Sequence, residues 1–411
     1  ATAQISGYAS TAYGHHENPL SNFERTSDRI NQSYFDLKYE KEFGASMLTF
    51  GYVSGLMIFN RFTERNYYEH NFTGSYIRRF VGTSSDESCA KSDEEDGDDS
   101  VSVDTHDDEG VNDSTGTYLH VGITTGARHD RSTYKEFDNL GTSLTASGRF
   151  AMSDGLFARV TNAFGYRRYT YLPELSNITD ELRFDLGKRA PSGFEYGART
   201  GAGMKHYTSS VYDTARFEVQ RSYPGKSQGK GKGGAALGSP SSKQIRTSPS
   251  TNATYQLSAA IYMRKNWSGT SLGAEILYRY NPTSTARYLA QYVNSSILSE
   301  DIYLDYFSCQ GPHANFTCTQ RLPLSMTSTV TLDVQRKTFG APAFDLSGNE
   351  IAVNREDIRS SMELSLGRTV DLSDGVSLEI SILSDLMRNQ SNDDYNDFSS
   401  ISISLALSIS F

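Results

Sequence analysis

The clearest pattern in the chain is an alternation of apolar and small residues in the stretch from Asp397 to Phe411, which is strict from Ser400 onward. Every second position is apolar, at Ile401, Ile403, Leu405, Leu407, Ile409 and Phe411. The positions between them hold serine and one alanine. In an extended strand, neighbouring side chains point to opposite faces. The stretch therefore predicts a β-strand with one apolar face and one small, polar face.

The same alternation recurs along the chain, for example from Ser33 to Glu40. Short turns separate consecutive alternating runs, and each contains a glycine, at Gly44, Gly155, Gly193, Gly269 and Gly375. Longer polar connections lie between these hairpins. Tight turns between alternating runs are typical of antiparallel β-hairpins. The pattern predicts an all-β protein.

We predict sixteen strands, near residues 2–13, 31–42, 46–60, 70–81, 117–128, 139–152, 155–171, 180–189, 193–207, 251–265, 269–281, 300–308, 325–338, 358–370, 375–388 and 398–411. Fourteen remains the alternative, because 70–81 and 300–308 alternate poorly. Short turns and long connections take turns along the chain, so they fall on two opposite rims. This arrangement predicts one closed antiparallel transmembrane β-barrel over 1–411, with short periplasmic turns and long extracellular loops.

Composition agrees with this fold. No apolar run approaches the roughly 18 to 20 residues of a membrane-spanning helix. The hydrophobic fraction is 37% and the mean hydropathy is −0.52. Low hydropathy suits a barrel, because only alternate residues of its strands meet lipid. The 26 Tyr and 21 Phe residues suit aromatic girdles at two membrane interfaces.

The last strand resembles the closing strand of bacterial outer-membrane β-barrels. In that family, alternating apolar residues ending on an aromatic residue form the signal read by the barrel-assembly machinery. The resemblance assigns this role to Leu405, Leu407, Ile409 and Phe411. It also implies a location in the bacterial outer membrane, among its lipids and lipopolysaccharide. The sequence begins at Ala1 without a basic and apolar leader, so we interpret it as a mature form whose signal peptide has been removed.

The opposite face of the strands carries the candidate functional residues. With the apolar set outward, we predict that charged residues line a pore at Asp36, Lys38, Glu40, Arg149, Arg159, Arg167, Arg183, Asp185, Arg199, Arg264, Glu275, Arg279, Asp333, Glu363, Glu379 and Asp385. Charges of both signs at this density need water around them. The sequence therefore predicts a porin-like channel for passive diffusion of small hydrophilic solutes or ions.

The signs of these charges are segregated along the chain. Arginines dominate the sixth to eleventh predicted strands, and carboxylates dominate the thirteenth to fifteenth. In a sixteen-strand barrel, Arg159 and Arg167 would face Glu379 and Asp385. This arrangement resembles the transverse field that general porins use at their constriction.

Three alternatives stay open. One is a plugged, purely structural barrel whose charges pair with one another. Another is an export or surface-assembly barrel, although that family usually carries a helical-repeat domain that this sequence does not show. The third is a membrane hydrolase, but the chain has no His-x-Ser, and the neighbours His129 and Asp130 would point to opposite faces of a strand. We therefore predict no enzymatic activity.

Two insertions interrupt the predicted barrel. The first, at about 84–112, is strongly acidic and is interpreted as a solvated loop. Its clustered carboxylates leave a calcium site at Asp93, Asp96 and Asp98 as an alternative, and we expect no other cofactor or metal. The second, at about 222–250, is rich in glycine and lysine and is interpreted as a flexible surface loop.

The net charge limits which classes of binding partner the sequence allows. The net charge of −10 argues against nucleic acid, because nucleic-acid-binding proteins usually carry a basic surface. Whether the chain forms a homo-oligomer stays open at the level of sequence.

Cys309 and Cys318 are close enough in sequence to close a small loop, and an exported chain meets oxidising conditions. We predict a disulfide between them, with Cys89 left free.

Overall fold

The computed structural model describes residues 3–19, 26–80, 116–132, 134–208, 253–283, 306–345, 350–394 and 396–411. Both insertions, 84–112 and 222–250, lie outside these ranges, and so do Cys89 and the calcium candidates Asp93, Asp96 and Asp98. In the part of the chain that the structure describes, no helix is long and apolar enough to cross a lipid bilayer.

The described residues form sixteen strands. Their bounds are β1 Ala3–His16, β2 Asp28–Phe43, β3 Ser46–Phe59, β4 Tyr67–Phe80, β5 Thr117–Asp130, β6 Asn139–Ala151, β7 Leu156–Tyr169, β8 Asn177–Arg189, β9 Phe194–Tyr207, β10 Ala253–Trp267, β11 Thr270–Tyr280, β12 Cys309–Leu322, β13 Met326–Phe344, β14 Glu350–Ser373, β15 Val376–Ser391 and β16 Phe398–Ser410. Short 3₁₀ turns lie at Thr63–Arg65, Lys135–Phe137, Ser153–Gly155, Pro173–Leu175 and Tyr306–Ser308.

Every strand pairs antiparallel with its neighbour in sequence, and β16 returns to pair with β1. At this seam Phe411 and Gly7 exchange two backbone hydrogen bonds of 2.9 and 2.8 Å. The Phe411 ring lies over Gly7, where an added Cβ would come within 2.3 Å of it. The sheet is therefore closed, and the predicted closed barrel of sixteen strands is confirmed.

Short and long connections separate onto two rims. On the short-turn rim, six connections of two to four residues join β2 to β3, β6 to β7, β8 to β9, β10 to β11, β12 to β13 and β14 to β15. The predicted turn glycines Gly44, Gly155, Gly193, Gly269 and Gly375 all have φ between 61° and 77°. Left-handed backbone of this kind favours glycine, because it has no Cβ to clash.

The exception on the short-turn rim is the connection that carries the acidic insertion. Phe80 at the end of β4 pairs with Thr117 at the start of β5, so the insertion leaves and rejoins the barrel at this rim. On the other rim, which we call the long-connection rim, the connections have five or more residues.

One predicted strand is wrong. The sequence predicts the twelfth strand at 300–308, but 300–305 lie outside the described residues and Tyr306–Ser308 is a 3₁₀ turn. The strand is Cys309–Leu322 instead. Its outward positions include Pro312, Cys318 and Gln320, so it lacks the apolar alternation on which the prediction relied.

The predicted disulfide is also wrong, because Cys309 and Cys318 are both free. They lie nine positions apart on the same strand, β12, and nine residues of strand span about 30 Å. An odd separation also puts the two side chains on opposite faces. A bridge needs Cα atoms within roughly 7 Å of each other.

The outer face of the barrel is apolar and exposed. The predicted assembly-signal residues Leu405, Leu407, Ile409 and Phe411 all lie on it, with 37 to 58% of their surface accessible. Exposed aromatic residues mark both ends of this face. The short-turn rim has Phe43, Phe80, Phe150, Tyr196, Trp267 and Phe411. The long-connection rim has Tyr13, Tyr68, Tyr166, Tyr255, Tyr278 and Tyr280. An apolar belt between two aromatic girdles is typical of a transmembrane barrel.

Candidate functional site: the charged inner wall

The strand register shows which residues share the inner wall, because directly paired residues point to the same face. Arg159 pairs with Asp185, and Asp185 pairs with Arg199. Their neighbours along the strands, Val160 and Leu186, belong to the exposed outer face. Applied around the ring, this rule places every predicted pore-lining residue on the inner face: Asp36, Lys38, Glu40, Arg149, Arg159, Arg167, Arg183, Arg199, Arg264, Glu275, Arg279, Asp333, Glu363, Glu379 and Asp385.

The arginines of β7 to β9 are braced by carboxylates. Arg199 donates from Nε to Asp185 at 2.7 Å and from Nη1 to Glu275 at 3.2 Å. Arg159 Nε lies 3.5 Å from the second oxygen of Asp185. Asp185 is only 2% exposed, and both arginines contact this one buried carboxylate. Arg149 lies beside this group and stacks over the Phe157 ring at 4.2 Å. A row of guanidinium groups is thereby fixed along the wall.

Glycines on the inner wall leave space for neighbouring aromatic side chains. A Cβ added to Gly187 would come within 2.5 Å of the Phe157 ring and 2.7 Å of the Tyr262 hydroxyl. A Cβ at Gly197 would also meet Tyr262, at 2.6 Å. The Arg199 guanidinium lies 5.6 Å from the Tyr262 ring centre. The hydroxyl end of Tyr262 therefore occupies the space that side chains at Gly187 and Gly197 would fill.

A short turn folds onto the inner wall near the long-connection rim. Asn281 and Gln256 donate side-chain hydrogen bonds to the backbone carbonyls of the Tyr306–Ser308 turn. Phe307 is 2% exposed and lies within 3.0 Å of where a Cβ of Gly203 would be, on β9. Since Gly203 faces inward, this turn lies inside the barrel against β9 to β11 and reduces the open cross-section there.

The wall of β12 to β15 is richer in carboxylates. Asp333 is hydrogen-bonded to His313 on the paired strand. Glu363 and Asp385 are directly paired across β14 and β15. In the described ranges neither Glu379 nor Asp385 forms an ion pair, although Arg359 is close enough to Asp385 to interact electrostatically. Two carboxylates of this wall are therefore left without a direct counter-ion among the described residues.

The two walls stand on opposite sides of the barrel. In the closed ring, β7 and β15 are separated by eight strand positions in either direction. Arg159 is the fourth residue of β7 and Glu379 the fourth residue of β15, and both strands begin at the short-turn rim. Arg159 and Glu379 therefore lie at matching depth on facing walls. Arg167 and Asp385 lie deeper along the same two strands.

Sequence reasoning missed several charged residues of the inner wall. Glu69 and Arg128 lie at strand ends, and the predicted strand for Glu69 began one residue too late. Glu181 and Arg359 lay inside predicted strands at inward positions, so alternation could have identified them. The missed Arg128 is well fixed, because it bonds Asp130 through two nitrogens and covers the Tyr67 ring at 3.8 Å.

The residue pair considered for hydrolysis is not assembled. Asp130 faces inward and accepts hydrogen bonds from Arg128, whereas His129 faces outward and packs against Tyr68. Across the residues that the structure describes, no group of three His, Cys, Asp or Glu side chains could hold a metal ion.

These features define a closed β-barrel of the membrane-spanning class with a charged inner wall. No family model matches the chain, and no curated protein matches it. Among solved structures, OpdK of Pseudomonas aeruginosa with vanillate aligns with a TM-score of 0.44 and 8% identity over 99% of each chain. The outer-membrane protein OprD of Pseudomonas aeruginosa gives 0.44 and 10% over 100% of this chain and 93% of that one. OccAB2 of Acinetobacter baumannii gives 0.44 and 7% over 100% and 98%. The assignment of the barrel rests on the strand pairing of this chain itself.

Proposed function

We propose that the protein is an outer-membrane channel for passive diffusion of small hydrophilic solutes or ions. The observation that carries this proposal is the inner wall, which bears arginines on β6 to β11 and carboxylates on β13 to β15. Charged groups of both signs are costly to bury without water. A lumen lined in this way is therefore filled with water and not with packed apolar side chains.

The outer wall supports a membrane location. Its belt of exposed Ile, Leu and Val residues would be unfavourable in water, and the aromatic girdles mark two lipid–water interfaces. In bacterial outer-membrane barrels the short turns face the periplasm. We assign the long-connection rim to the cell surface on this basis. The expected neighbours are outer-membrane lipid and lipopolysaccharide, and the alternating end at Phe411 would direct assembly by the barrel-assembly machinery.

The segregated walls give the channel a transverse field. Arg159 and Arg167 on β7 face Glu379 and Asp385 on β15 across the lumen. The field is strongest where low-dielectric walls confine it, and added salt weakens it. Such a field orients dipolar solutes and disfavours apolar ones. It also ties ion selectivity to the balance between the two walls.

Conductance in planar bilayers tests the proposal. The purified barrel should give steps of ionic current, whereas a plugged barrel would give almost none. Under a salt gradient, Arg159→Gln with Arg167→Gln should move the reversal potential toward cation selectivity. Glu379→Gln with Asp385→Asn should move it toward anion selectivity.

Arg168→Gln provides the matched control, because Arg168 neighbours Arg167 but is exposed on the outer face of β7. Its reversal potential should equal that of the unmodified barrel. Absence of current steps, or shifts of the same sign for both double variants, would contradict the proposed channel.

A further inference from the structure

A groove of about 330 Å³ lies on the outer face where the first and last strands meet. Two rows of directly paired residues form its walls. The row nearer the long-connection rim is Ile403, His15 and Arg29, and the other row is Ile382, Leu405 and Tyr13. Between the rows lie Gly14 and Ser404, which also pair directly and form the floor. We call this feature the seam groove.

The seam groove faces the surroundings of the barrel and not its lumen. Ile403 and Leu405 are 57 and 58% exposed, and they belong to the apolar belt. Their partners across the seam, His15 and Tyr13, share that face by register. In a membrane, a cleft with these walls takes a hydrocarbon chain, since water inside it would solvate apolar side chains.

One end of the seam groove is cationic. Arg29 is exposed on the outer face at the second position of β2, and it forms no ion pair with any residue that the structure describes. His15 lies beside it on the paired strand. The nearest outward carboxylate in β1 and its extension is Glu17, which is exposed two positions beyond His15. An arginine above an apolar cleft complements a lipid with a phosphorylated headgroup and an acyl chain.

We propose that the seam groove binds lipopolysaccharide, with one acyl chain between the two rows, against Ile382, Ile403 and Leu405, and a lipid phosphate on Arg29. This inference rests on the proposed function for one point, the assignment of the long-connection rim to the cell surface. Lipopolysaccharide occupies the leaflet on that side, whereas phosphatidylglycerol would be expected on the other. The bound lipid would bridge β16, β1 and β2 and so reinforce the seam.

Lipid retention by the full-length protein tests the assignment. Barrels are extracted from outer membranes in mild detergent, and bound lipopolysaccharide and phosphatidylglycerol are measured per barrel by mass spectrometry. Arg29→Gln should lower bound lipopolysaccharide by about fivefold, the size expected for one cation near anionic headgroups. Ile403→Trp should lower it by filling the groove while leaving Arg29 intact. Glu17→Gln should raise it, because a nearby negative charge is removed.

Arg168→Gln is again the control, because it removes an exposed arginine of the outer face that lies far from the groove. Heat-modifiable mobility verifies that each variant is folded. Equal lipopolysaccharide in Arg29→Gln and the unmodified barrel would overturn the assignment, and so would equal losses in Arg168→Gln. A loss of phosphatidylglycerol alone would also overturn it, by naming a different lipid.

Conductance measured in phosphatidylcholine bilayers separates this inference from the channel proposal. If the barrel gives no current but Arg29→Gln still lowers bound lipopolysaccharide, the seam groove is supported as a lipopolysaccharide site and the proposed channel is contradicted. A barrel that conducts but keeps its lipopolysaccharide in Arg29→Gln would support the proposed channel and contradict the seam groove as a lipopolysaccharide site.

Discussion

The two facing walls of the lumen hold their charges in different ways. On β7 to β9, Arg159 and Arg199 both contact Asp185, whose side chain is almost fully buried. On β15, Glu379 and Asp385 have no ion pair with a described residue. The basic wall is therefore part of the structure of the barrel, and much of its charge is compensated. Glu379 and Asp385 are therefore less constrained than the arginines opposite, and their charges act more directly on the lumen.

The largest effect on stability is expected from removing the carboxylate contacts that hold the arginines of the basic wall. Arg199→Gln removes the contacts of Arg199 with Asp185 and Glu275 and leaves the contact between Arg159 and Asp185 in place. A hydrogen bond to a charged group contributes about 1.5 to 3 kcal/mol, and we expect a loss in this range because Asp185 keeps its contact with Arg159. Denaturant titration, followed by heat-modifiable mobility, should show this loss of unfolding free energy.

Arg264→Gln controls for the loss of an inner-wall arginine as such. Arg264 faces inward on β10, and the structure gives it no ion pair among the described residues. Its effect on stability should stay below about 1 kcal/mol. Equal losses in both variants would mean that the contacts to Asp185 and Glu275 do not matter for stability.

The second prediction compares single neutralisations on facing walls. Glu379→Gln should shift the reversal potential more than Arg159→Gln, although both residues lie at matching depth. The reason is that Arg159 is partly compensated by Asp185, whereas Glu379 is not. A larger shift for Arg159→Gln would show that the two walls do not differ in this way.

A smaller effect is expected from displacing a ring of the basic wall. In Gly187→Val the new side chain would collide with Phe157 and Tyr262, so Tyr262 must move toward the lumen. Single-channel conductance should fall more than in Gly273→Val, because an added Cβ at Gly273 meets nothing within 4 Å. Adding Tyr262→Ala to Gly187→Val should recover the conductance. Equal conductances for both glycine variants would contradict the packing described for Tyr262.

The smallest effect should come from salt. The difference in reversal potential between Glu379→Gln and Arg159→Gln, at a fixed concentration ratio, should shrink as ionic strength rises. The screening length falls from about 10 Å at 0.1 M to about 3 Å at 1 M. A difference that does not change with salt would point to altered pore width instead of altered charge.

Much of the barrel could be predicted from sequence because alternation and turn glycines are local signals. The strand count and the two rims follow from the succession of alternating runs, short turns and long connections. The inward position of residues such as Arg199 and Glu379 follows from parity within one strand. The failure at β12 has the same origin, since its outward positions include Pro312 and Gln320 and carry little apolar signal.

Contacts between strands could not be predicted. That Arg159 and Arg199 share Asp185 depends on the register of three strands, which alternation within one strand does not fix. The disulfide failed for a related reason. The spacing of Cys309 and Cys318 suits a loop, but both residues lie on one extended strand. There, nine residues correspond to a distance of about 30 Å. The packing of Tyr262 against Gly187 and Gly197 likewise arises only when three strands are brought together.

The seam also determines the order in which the protein can fold. Tyr8 donates a hydrogen bond to Ser408, a contact between residues 400 positions apart. All the other strand pairs of the described barrel join neighbours in sequence and can form before the two ends of the chain meet. Until β16 reaches β1, an unfinished sheet keeps two open edges, and such edges invite pairing with other chains. Closure is therefore the step of highest contact order, and folding should pass through an open sheet that is prone to aggregation until the seam forms.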